Sequence, residues 1–484
     1  MKIVSQDFKI YRIYKIYPVN SANLVILSKG WRKSLNWDVF RAYDIRGIYP
    51  TDIDEEAYYR IAKAYVYLFK PKTMVVGMDA RLSSPSLKAS LIRGFLDAGV
   101  NVVDIGQITT DMLYYAVGAS SEYSGGIVVS ASHNPKEYNG MKMVREKATA
   151  ISSDTGLFDI RDAVKAGKDA EVTSDKKATC TERDILSDYL QHVLKSVDRS
   201  KIKPFTFVGN ANFGFVCRPA AKLAQDLGLN LLPLNFEPDG SFPKGPPDPM
   251  LPGNRTETEA LIKEKGAEFG VAWDADADRA MFFTEKGEFI SGAYITALLA
   301  DILLTKYGSD NTIIFDPRVI WPTLDAVKRK GAQPIISKGG HAFMKDRMRK
   351  ENGLFAGEMS GHYYFRENFY ADNGVIPFLL VLEHLSTHDQ PFSELMAPFM
   401  AGHYMSGELN YHVKDIKAVI EKVKEKFHGE GQEDFTDGYS LETADWRFNI
   451  RGSNTEPLLR LNIEAHKPEL VDQIQKEIEK IIKQ

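Results

Sequence analysis

Residues 73–104 read TMVVGMDARLSSPSLKASLIRGFLDAGVNVVD. The run Met74-Val75-Val76 is apolar and β-branched, as a buried strand is. The stretch opened by Ser83-Ser84-Pro85 carries a helical period, with Pro just inside the start after a Ser cap. Val102-Val103-Asp104 and then Ile127-Val128-Val129 repeat the strand signature. Strand, helix and strand in short succession form βαβ units and predict an α/β fold with parallel strands.

The same pattern recurs twice downstream. A second block runs from a helix near Glu182–Val197 through Phe205–Val208 and a Cys217–Leu227 helix to a strand at Glu268–Ala272. A third runs from Met281–Phe283 through a helix at Ala293–Lys306, Thr312–Phe315, Pro322–Lys330, Pro334–Ile336 and Lys345–Lys350 to Leu354–Phe355. Ala166–Thr181, rich in Lys, Asp and Thr, reads as a linker, and the Pro-rich Glu237–Gly253 as an ordered loop. After Gln390 the texture changes to Met405–Val413, a helix at Ile416–Phe427, Ser440–Ile450, Leu458–Ala465 and a last helix from Pro468 to Ile482. That is an α+β domain of lid size with an antiparallel sheet. The expected division is an N-terminal extension 1–36, three similar α/β domains with mixed sheets at 37–177, 178–288 and 289–401, and the α+β lid at 402–484.

A chain of 484 residues, 44% hydrophobic and 26% charged, can bury several cores. A net charge of -4 argues against a nucleic-acid partner held by bulk electrostatics. Cys180 and Cys217 are the two cysteines, far apart and without metal-ligand spacing, which fits a reducing cytoplasm. The most apolar windows, Tyr294–Leu304 and Val375–Leu385, contain Asp301 and Glu383 and fall short of the roughly 18 residues of a membrane span, so no membrane partner is expected. The first 36 residues hold seven Lys/Arg against one acid, and their apolar stretch Ala22–Leu27 is too short for a secretory core. They read as an appendage of unassigned role.

Five loops carry chemistry. Ser130-Ala131-Ser132-His133-Asn134-Pro135 follows an apolar strand directly, placing Ser132 at the carboxyl edge of a parallel sheet, where α/β folds bind ligands. A hydroxyl there can carry a phosphoryl group; the hexapeptide can equally cap a turn before Pro135. Trp273-Asp274-Ala275-Asp276-Ala277-Asp278-Arg279 sets three carboxylates at every second position, a hard oxygen set suited to Mg²⁺ unless it is an acidic solvated loop. Gly357-Glu358-Met359-Ser360-Gly361-His362 lets backbone approach a ligand, with Glu358 and Ser360 pointing the same way if the loop is extended; in isolation it reads equally well as a structural turn. Lys338-Gly339-Gly340-His341 puts a cation and an imidazole at a sheet edge; a lone His is more often structural than catalytic, and His341 gains meaning only from the other four loops. Arg451-Gly452-Ser453-Asn454-Thr455-Glu456-Pro457, between two strands, has the donors of a phosphate cradle and also the composition of an ordinary hairpin loop.

Taken together, these loops resemble the α-D-phosphohexomutase family from Phe40 to the C-terminus, in the family's own order. Phe40–Gly47, Val76–Arg81, Tyr138–Lys142 and Pro238–Pro243 are similar as well. The Gly-Glu-Met-Ser-Gly-His form resembles the phosphomannomutase/phosphoglucomutase branch, since phosphoglucosamine mutases tend to carry Gln at the position of Met359. Arg145–Leu157, Asp316–Arg318, Ser337–Arg349 and Asp445–Leu461 look closest to bacterial enzymes that feed GDP-mannose synthesis.

The resemblance implies a heart-shaped molecule, monomer or dimer, with a central cleft. It implies that Ser132 is phosphorylated, and that Asp274, Asp276 and Asp278 hold Mg²⁺ together with the Ser132 phosphate. Arg46 and Arg279 would lie near the reacting phosphate, with Lys142 and His133 as proton handlers. Glu358 and Ser360, with His362 beside them, would bind sugar hydroxyls, and Lys338 and His341 would contact the substrate. Arg451, Ser453, Asn454 and Thr455 would bind the non-reacting phosphate. The implied reaction interconverts mannose 6-phosphate and mannose 1-phosphate through a hexose 1,6-bisphosphate, which also serves as activator; the alternatives are a glucose or dual-specificity mutase and a metal-dependent sugar phosphatase. Two departures stand out. Ala275 and Ala277 replace the family's usual Gly between the Asp residues, which narrows the permitted backbone geometry. Val208–Gly214 lacks the usual Asn-Gly-x-Gly spacing and carries no assigned role.

Overall fold

The computed structural model of the chain describes residues 35–453 and 458–483. The N-terminal appendage up to residue 34 and the loop residues Asn454 and Thr455 lie outside the described residues.

Four sheets follow one another along the chain. In the first, the order is Ile45–Ile48, Tyr138–Arg145, Gly125–Val129, Thr73–Met78, Asn101–Gln107 and Cys180–Glu182, parallel over the last four strands and antiparallel over the first pairs. The central strand Gly125–Val129 is buried at all five positions because helices cover both faces, which is why it reads as a continuous apolar run. The second sheet orders Phe289–Ile290, Ala280–Phe283, Phe269–Trp273, Thr206–Asn210 and Asn230–Leu234. The third orders Gln333–Ile336, Thr312–Phe315, Phe355–Gly357, Tyr363–Phe365 and Ala371–Asp372. The fourth is antiparallel, built on Trp446–Gly452 and Leu459–Ala465 and packed against the helices Ile416–Phe427 and Pro468–Ile482.

Several elements differ from expectation. Ala280–Phe283 pairs antiparallel with Phe269–Trp273 on one side and Phe289–Ile290 on the other, so this strand lies inside the second sheet rather than opening the third block. The end of the expected linker, Cys180–Glu182, adds an edge strand to the first sheet although all three of its residues are exposed. Helix Ser84–Asp97 does carry Pro near its start, but the Ser83 side chain makes no cap bond; its hydroxyl accepts from Asn139 Nδ2 at 2.8 Å instead.

Two helices weld the second and third sheets together. Gly292–Tyr307 and Val375–Thr387 are apolar around most of their circumference, as helices buried on all sides are. Phe378 packs against Phe207, Phe269 and Trp273, with ring centroids 5.1, 6.2 and 5.8 Å away. Trp273 is itself anchored by its indole N–H donating to Gly374 O at 2.8 Å, which fixes the end of the strand that leads into Asp274. Among the described residues no helix is long and apolar enough to cross a membrane. The fourth sheet is tied to the third by Glu464, a buried carboxylate that accepts from Ile320 N at 2.9 Å and Trp321 N at 3.0 Å. It thereby caps helix Trp321–Arg329 while pairing with Arg447 at 3.0 Å.

Candidate active site

Every candidate loop outside the fourth sheet leaves the carboxyl end of a parallel strand. The Ser132 loop leaves Gly125–Val129, the Asp274 loop leaves Phe269–Trp273, and the Glu358 loop leaves Phe355–Gly357. The first two meet. Ser132 is 2% exposed and its hydroxyl donates to Asp274 Oδ2 at 3.1 Å, with His133 Nδ1 also 3.1 Å from Oγ. Its φ of 51° puts the residue in the left-handed region, a strained posture for an L side chain that the surrounding structure must hold.

Arg81 does the holding, and the sequence reading gave it no role. The guanidinium is fully buried and all five of its N–H donors are used. Nε donates to Asp79 Oδ2 at 3.1 Å, Nη1 to the carbonyls of Pro135 at 2.7 Å and Tyr138 at 3.0 Å, and Nη2 to those of Ser132 at 2.6 Å and Asn134 at 2.7 Å. The Pro-rich loop of the second domain closes over this arginine. Gly240 bridges to it so tightly that a Cβ would lie 2.2 Å from Ala80 O, and Phe242 lies under the guanidinium at 4.9 Å.

Asp274, Asp276 and Asp278 are fully buried, and one oxygen of each lies within 4.8 Å of the others. Lys142 lies among them, donating to Asp276 Oδ2 at 2.7 Å and to Asp278 Oδ2. Burial works against its charge, yet Asp276 and Asp278 hold the ammonium above its ordinary pKa. Asp276 Oδ1 and Asp278 Oδ1 are buried without a hydrogen-bond partner. Three clustered carboxylates, two of them with an unspent oxygen, are a donor set that fits a hard divalent cation. Arg279 donates from Nε to Asp274 Oδ2 at 2.8 Å and reaches Asp248 of the Pro-rich loop at 3.4 Å. Arg46 bonds Asp44 at 2.7 Å and Asn134 Oδ1 of the Ser132 loop. Burial, then Arg279, Arg46 and Lys142, hold the His133 imidazole well below its usual pKa, which keeps it neutral.

Backbone around the trio is shaped by the segment to which no role was assigned. Asn212 Nδ2 donates to Trp273 O at 2.7 Å, and Gly214 packs so close that a Cβ would lie 2.3 Å from Ala275 O. Ala277, in place of the family's glycine, sits at φ 54°, the left-handed conformation that glycine adopts freely. Thr110 adds a clasp from the first domain, with N–H to Asp276 O at 2.8 Å and Oγ1 to Asp276 Oδ2 at 2.7 Å.

The adjacent Asp111 accepts from Thr109 Oγ1 and from Tyr189 OH, the latter at 2.6 Å. Burial pushes its carboxyl up to about 7. A raised folded-state pKa means that the folded chain holds this proton more tightly than the unfolded chain. The resulting stabilisation is fully present below the unfolded value of about 4 and is lost as pH rises through the folded one. Asp111→Asn is expected to remove that fall in stability, followed as urea midpoints from about pH 4 to about pH 8. An undiminished fall in the variant would exclude Asp111 as its source.

A second cluster lies beside the first. Glu358–Gly361 is a tight turn, closed by Gly361 N donating to Glu358 O at 2.9 Å, which is the turn rather than the extended form of the two the sequence allowed. Arg318 nevertheless gathers both polar groups, with Nη2 3.4 Å from Glu358 Oε1 and 3.3 Å from Ser360 Oγ. Asp316 grips Arg318 at 2.9 and 2.6 Å, and the sequence reading gave neither a chemical role. His362 joins the clusters, with Nε2 3.5 Å from Asp278 Oδ1 and Nδ1 3.0 Å from Ser360 Oγ. His341 opens helix His341–Glu351, buried edge-on to Tyr43 at 4.9 Å, while the neighbouring Lys338 is exposed over Phe343. Arg451, from the fourth sheet, is 6% exposed and donates to Glu408 Oε2 at 3.2 Å. Ser453 follows on the same loop, its N–H donating to Leu458 O at 2.8 Å.

Comparison with known proteins agrees with this geometry. The chain matches the phosphoglucomutase/phosphomannomutase family descriptions for α/β/α domain I over residues 38–171, domain II over 187–287 and domain III over 291–402, and for the C-terminal domain over 408–481. It is 44% identical to the phosphohexose mutases of Xanthomonas campestris pv. campestris (strain ATCC 33913) over 88% of this chain and 94% of that one. To the phosphomannomutase of Escherichia coli K12 it is 43% identical over the same shares. A crystal structure of a phosphoglucomutase/phosphomannomutase family protein from Burkholderia thailandensis superposes with a TM-score of 0.82 at 30% identity, covering 93% of this chain and 98% of that one.

Proposed function

This chain belongs to the phosphoglucomutase/phosphomannomutase family, and on that footing we propose that it interconverts mannose 6-phosphate and mannose 1-phosphate by way of a phosphorylated Ser132. It is a phosphohexose mutase, an intramolecular phosphotransferase of the isomerase class. The observation that carries the assignment to Ser132 is its buried hydroxyl 3.1 Å from a carboxylate of the Asp274, Asp276, Asp278 trio.

The reaction proceeds in two transfers. In the first, the phosphorus–Oγ bond of phosphoserine 132 breaks as a free hexose hydroxyl bonds to phosphorus, giving a hexose 1,6-bisphosphate. In the second, Ser132 Oγ takes the other phosphoryl group and the isomeric monophosphate leaves. Asp274, Asp276 and Asp278 would hold Mg²⁺, which when bound would supply positive charge against the transferring oxygens. Arg279 and Arg46 add donors beside Ser132, and neutral His133 offers a nitrogen for the proton that the attacking hydroxyl gives up. Glu358, Ser360 and His362 hold sugar hydroxyls in either orientation. The Arg451 loop, including Ser453 and the residues that follow it, grips the phosphate that is not reacting, and Lys338 and His341 reach the substrate from the third domain. Hexose 1,6-bisphosphate restores the phosphoserine when it is lost. Two free cysteines suit a cytoplasmic setting.

The test is a pair of initial rates, on mannose 1-phosphate and on glucose 1-phosphate, with glucose 1,6-bisphosphate and Mg²⁺ present. The account expects isomerisation of mannose 1-phosphate with the higher kcat/KM, and loss of both activities on chelation, restored by Mg²⁺. A kcat/KM in favour of glucose 1-phosphate would move the assignment to a glucose mutase, and stoichiometric release of inorganic phosphate to a phosphatase.

A further inference from the structure

Three guanidinium groups converge on one carboxylate where the third and fourth domains meet. Glu408, 16% exposed, lies 3.2 Å from Arg451 Nη2, 3.7 Å from Arg318 Nη1 and 3.2 Å from Arg460 Nη1. Arg318 belongs to the third domain and the other two to the fourth, so a single anion spans the closure between them. The forked donors of arginine fit a carboxylate and a phosphate alike, and Arg451 is the cradle residue of the reading above.

We propose that Glu408 is a specificity-determining placeholder: it occupies the arginines in the unliganded cleft and must be displaced by the distal phosphate, so that the cradle admits dianions and rejects monoanions. This rests on the reading of the Arg451 loop as the distal-phosphate site. Asp316 and Glu358 already engage Arg318, but among the described residues Arg451 has only Asp437, 4.0 Å away, besides Glu408, so without an anion between them the two guanidinium groups would repel across the closure. Burial, and then the charge of Arg318, already pull the Arg451 pKa below its ordinary value. Glu408 relieves that repulsion with one negative charge. A phosphate monoester brings one and a half to two charges and three acceptor oxygens, and outcompetes it. A sulfate ester brings a single charge, no more than the carboxylate it would have to dislodge.

Binding isolates the point, measured by calorimetry on the Ser132→Ala chain, where no transfer occurs. Mannose 6-phosphate and mannose 6-sulfate are the probes. Glu408→Gln on that background is expected to tighten both ligands and to narrow the phosphate-over-sulfate preference on the order of tenfold. Glu408→Asp, which draws the carboxylate back by one methylene, is expected to shift both in the same direction by less, and serves if the Gln variant does not fold. Weaker binding of both ligands with an unchanged preference in either variant would overturn the proposal and make Glu408 a buttress for Arg451. Arg451→Ala separates the two readings. Weaker mannose 6-phosphate binding keeps the cradle whatever Glu408 does; unchanged binding removes the cradle, and the proposal with it.

Discussion

With Ser132 replaced by Ala, conversion of mannose 1-phosphate falls by roughly four to six orders of magnitude, the scale seen when a covalent nucleophile is removed. The loss is expected in kcat, because in the proposed mechanism Oγ carries the phosphoryl group in both transfers. His133 Nδ1 is 3.1 Å from Oγ, but its proposed part is to take a proton rather than the phosphoryl group. Substrate binding is expected to survive, since Arg451, Glu358 and Ser360 belong to other domains. Calorimetry with mannose 6-phosphate, alongside the rate assay, separates the two effects. Activity within tenfold of the parent would end the assignment of Ser132.

The second large effect is on stability. Arg81→Met would strip five hydrogen bonds at once, leaving Asp79 charged in the interior and four main-chain carbonyls without their donor. Breaking a buried ion pair from one side costs about 3–5 kcal/mol, and the left-handed Ser132 would lose the contact that fixes its carbonyl. Arg81→Lys keeps the charge but has three donors on a point-like ammonium and cannot span carbonyls of Ser132, Asn134, Pro135 and Tyr138 together. It should recover less than half of the loss in urea unfolding. Asp79→Asn combined with Arg81→Met should cost less than the sum of the two single changes, because the uncompensated carboxylate is gone. Strict additivity would show that the pair is not the unit proposed.

These two sites mark how far the sequence could be read. Ser132 and the Asp trio were legible because each follows an apolar strand directly, so the chain itself announces a loop at the carboxyl edge of a sheet. Arg81 sits in the same kind of place, after Thr73–Met78, but its partners are backbone carbonyls more than fifty residues on, and a carbonyl has no letter in a sequence. Arg318, Asn212 and Glu408 were passed over for the same reason: they act on groups contributed by distant elements. The run Met281–Phe283 reads as the opening of the third block, although the division at 288 keeps it in the second domain, because an apolar run looks the same whether it turns back on its own sheet or opens the next one. Cys180–Glu182 gave no apolar signal at all, being an exposed edge strand. Helix Val375–Thr387 is apolar nearly all round, so it offers no period to read, and only its burial between two sheets explains its composition. The glycine departures were noticed, and Ala277 at φ 54° shows where that narrower backbone is in fact strained.

In the proposed mechanism one phosphoryl group resides on Ser132 and passes to and from the sugar. Incubating the protein with mannose 1-phosphate labelled in its phosphate, then digesting it and sequencing the peptides by mass spectrometry, tests this directly. The account predicts label on the peptide containing Ser132 and its transfer into mannose 6-phosphate when unlabelled substrate is added. Label found only in free phosphate, with the Ser132 peptide unmodified throughout, would contradict it.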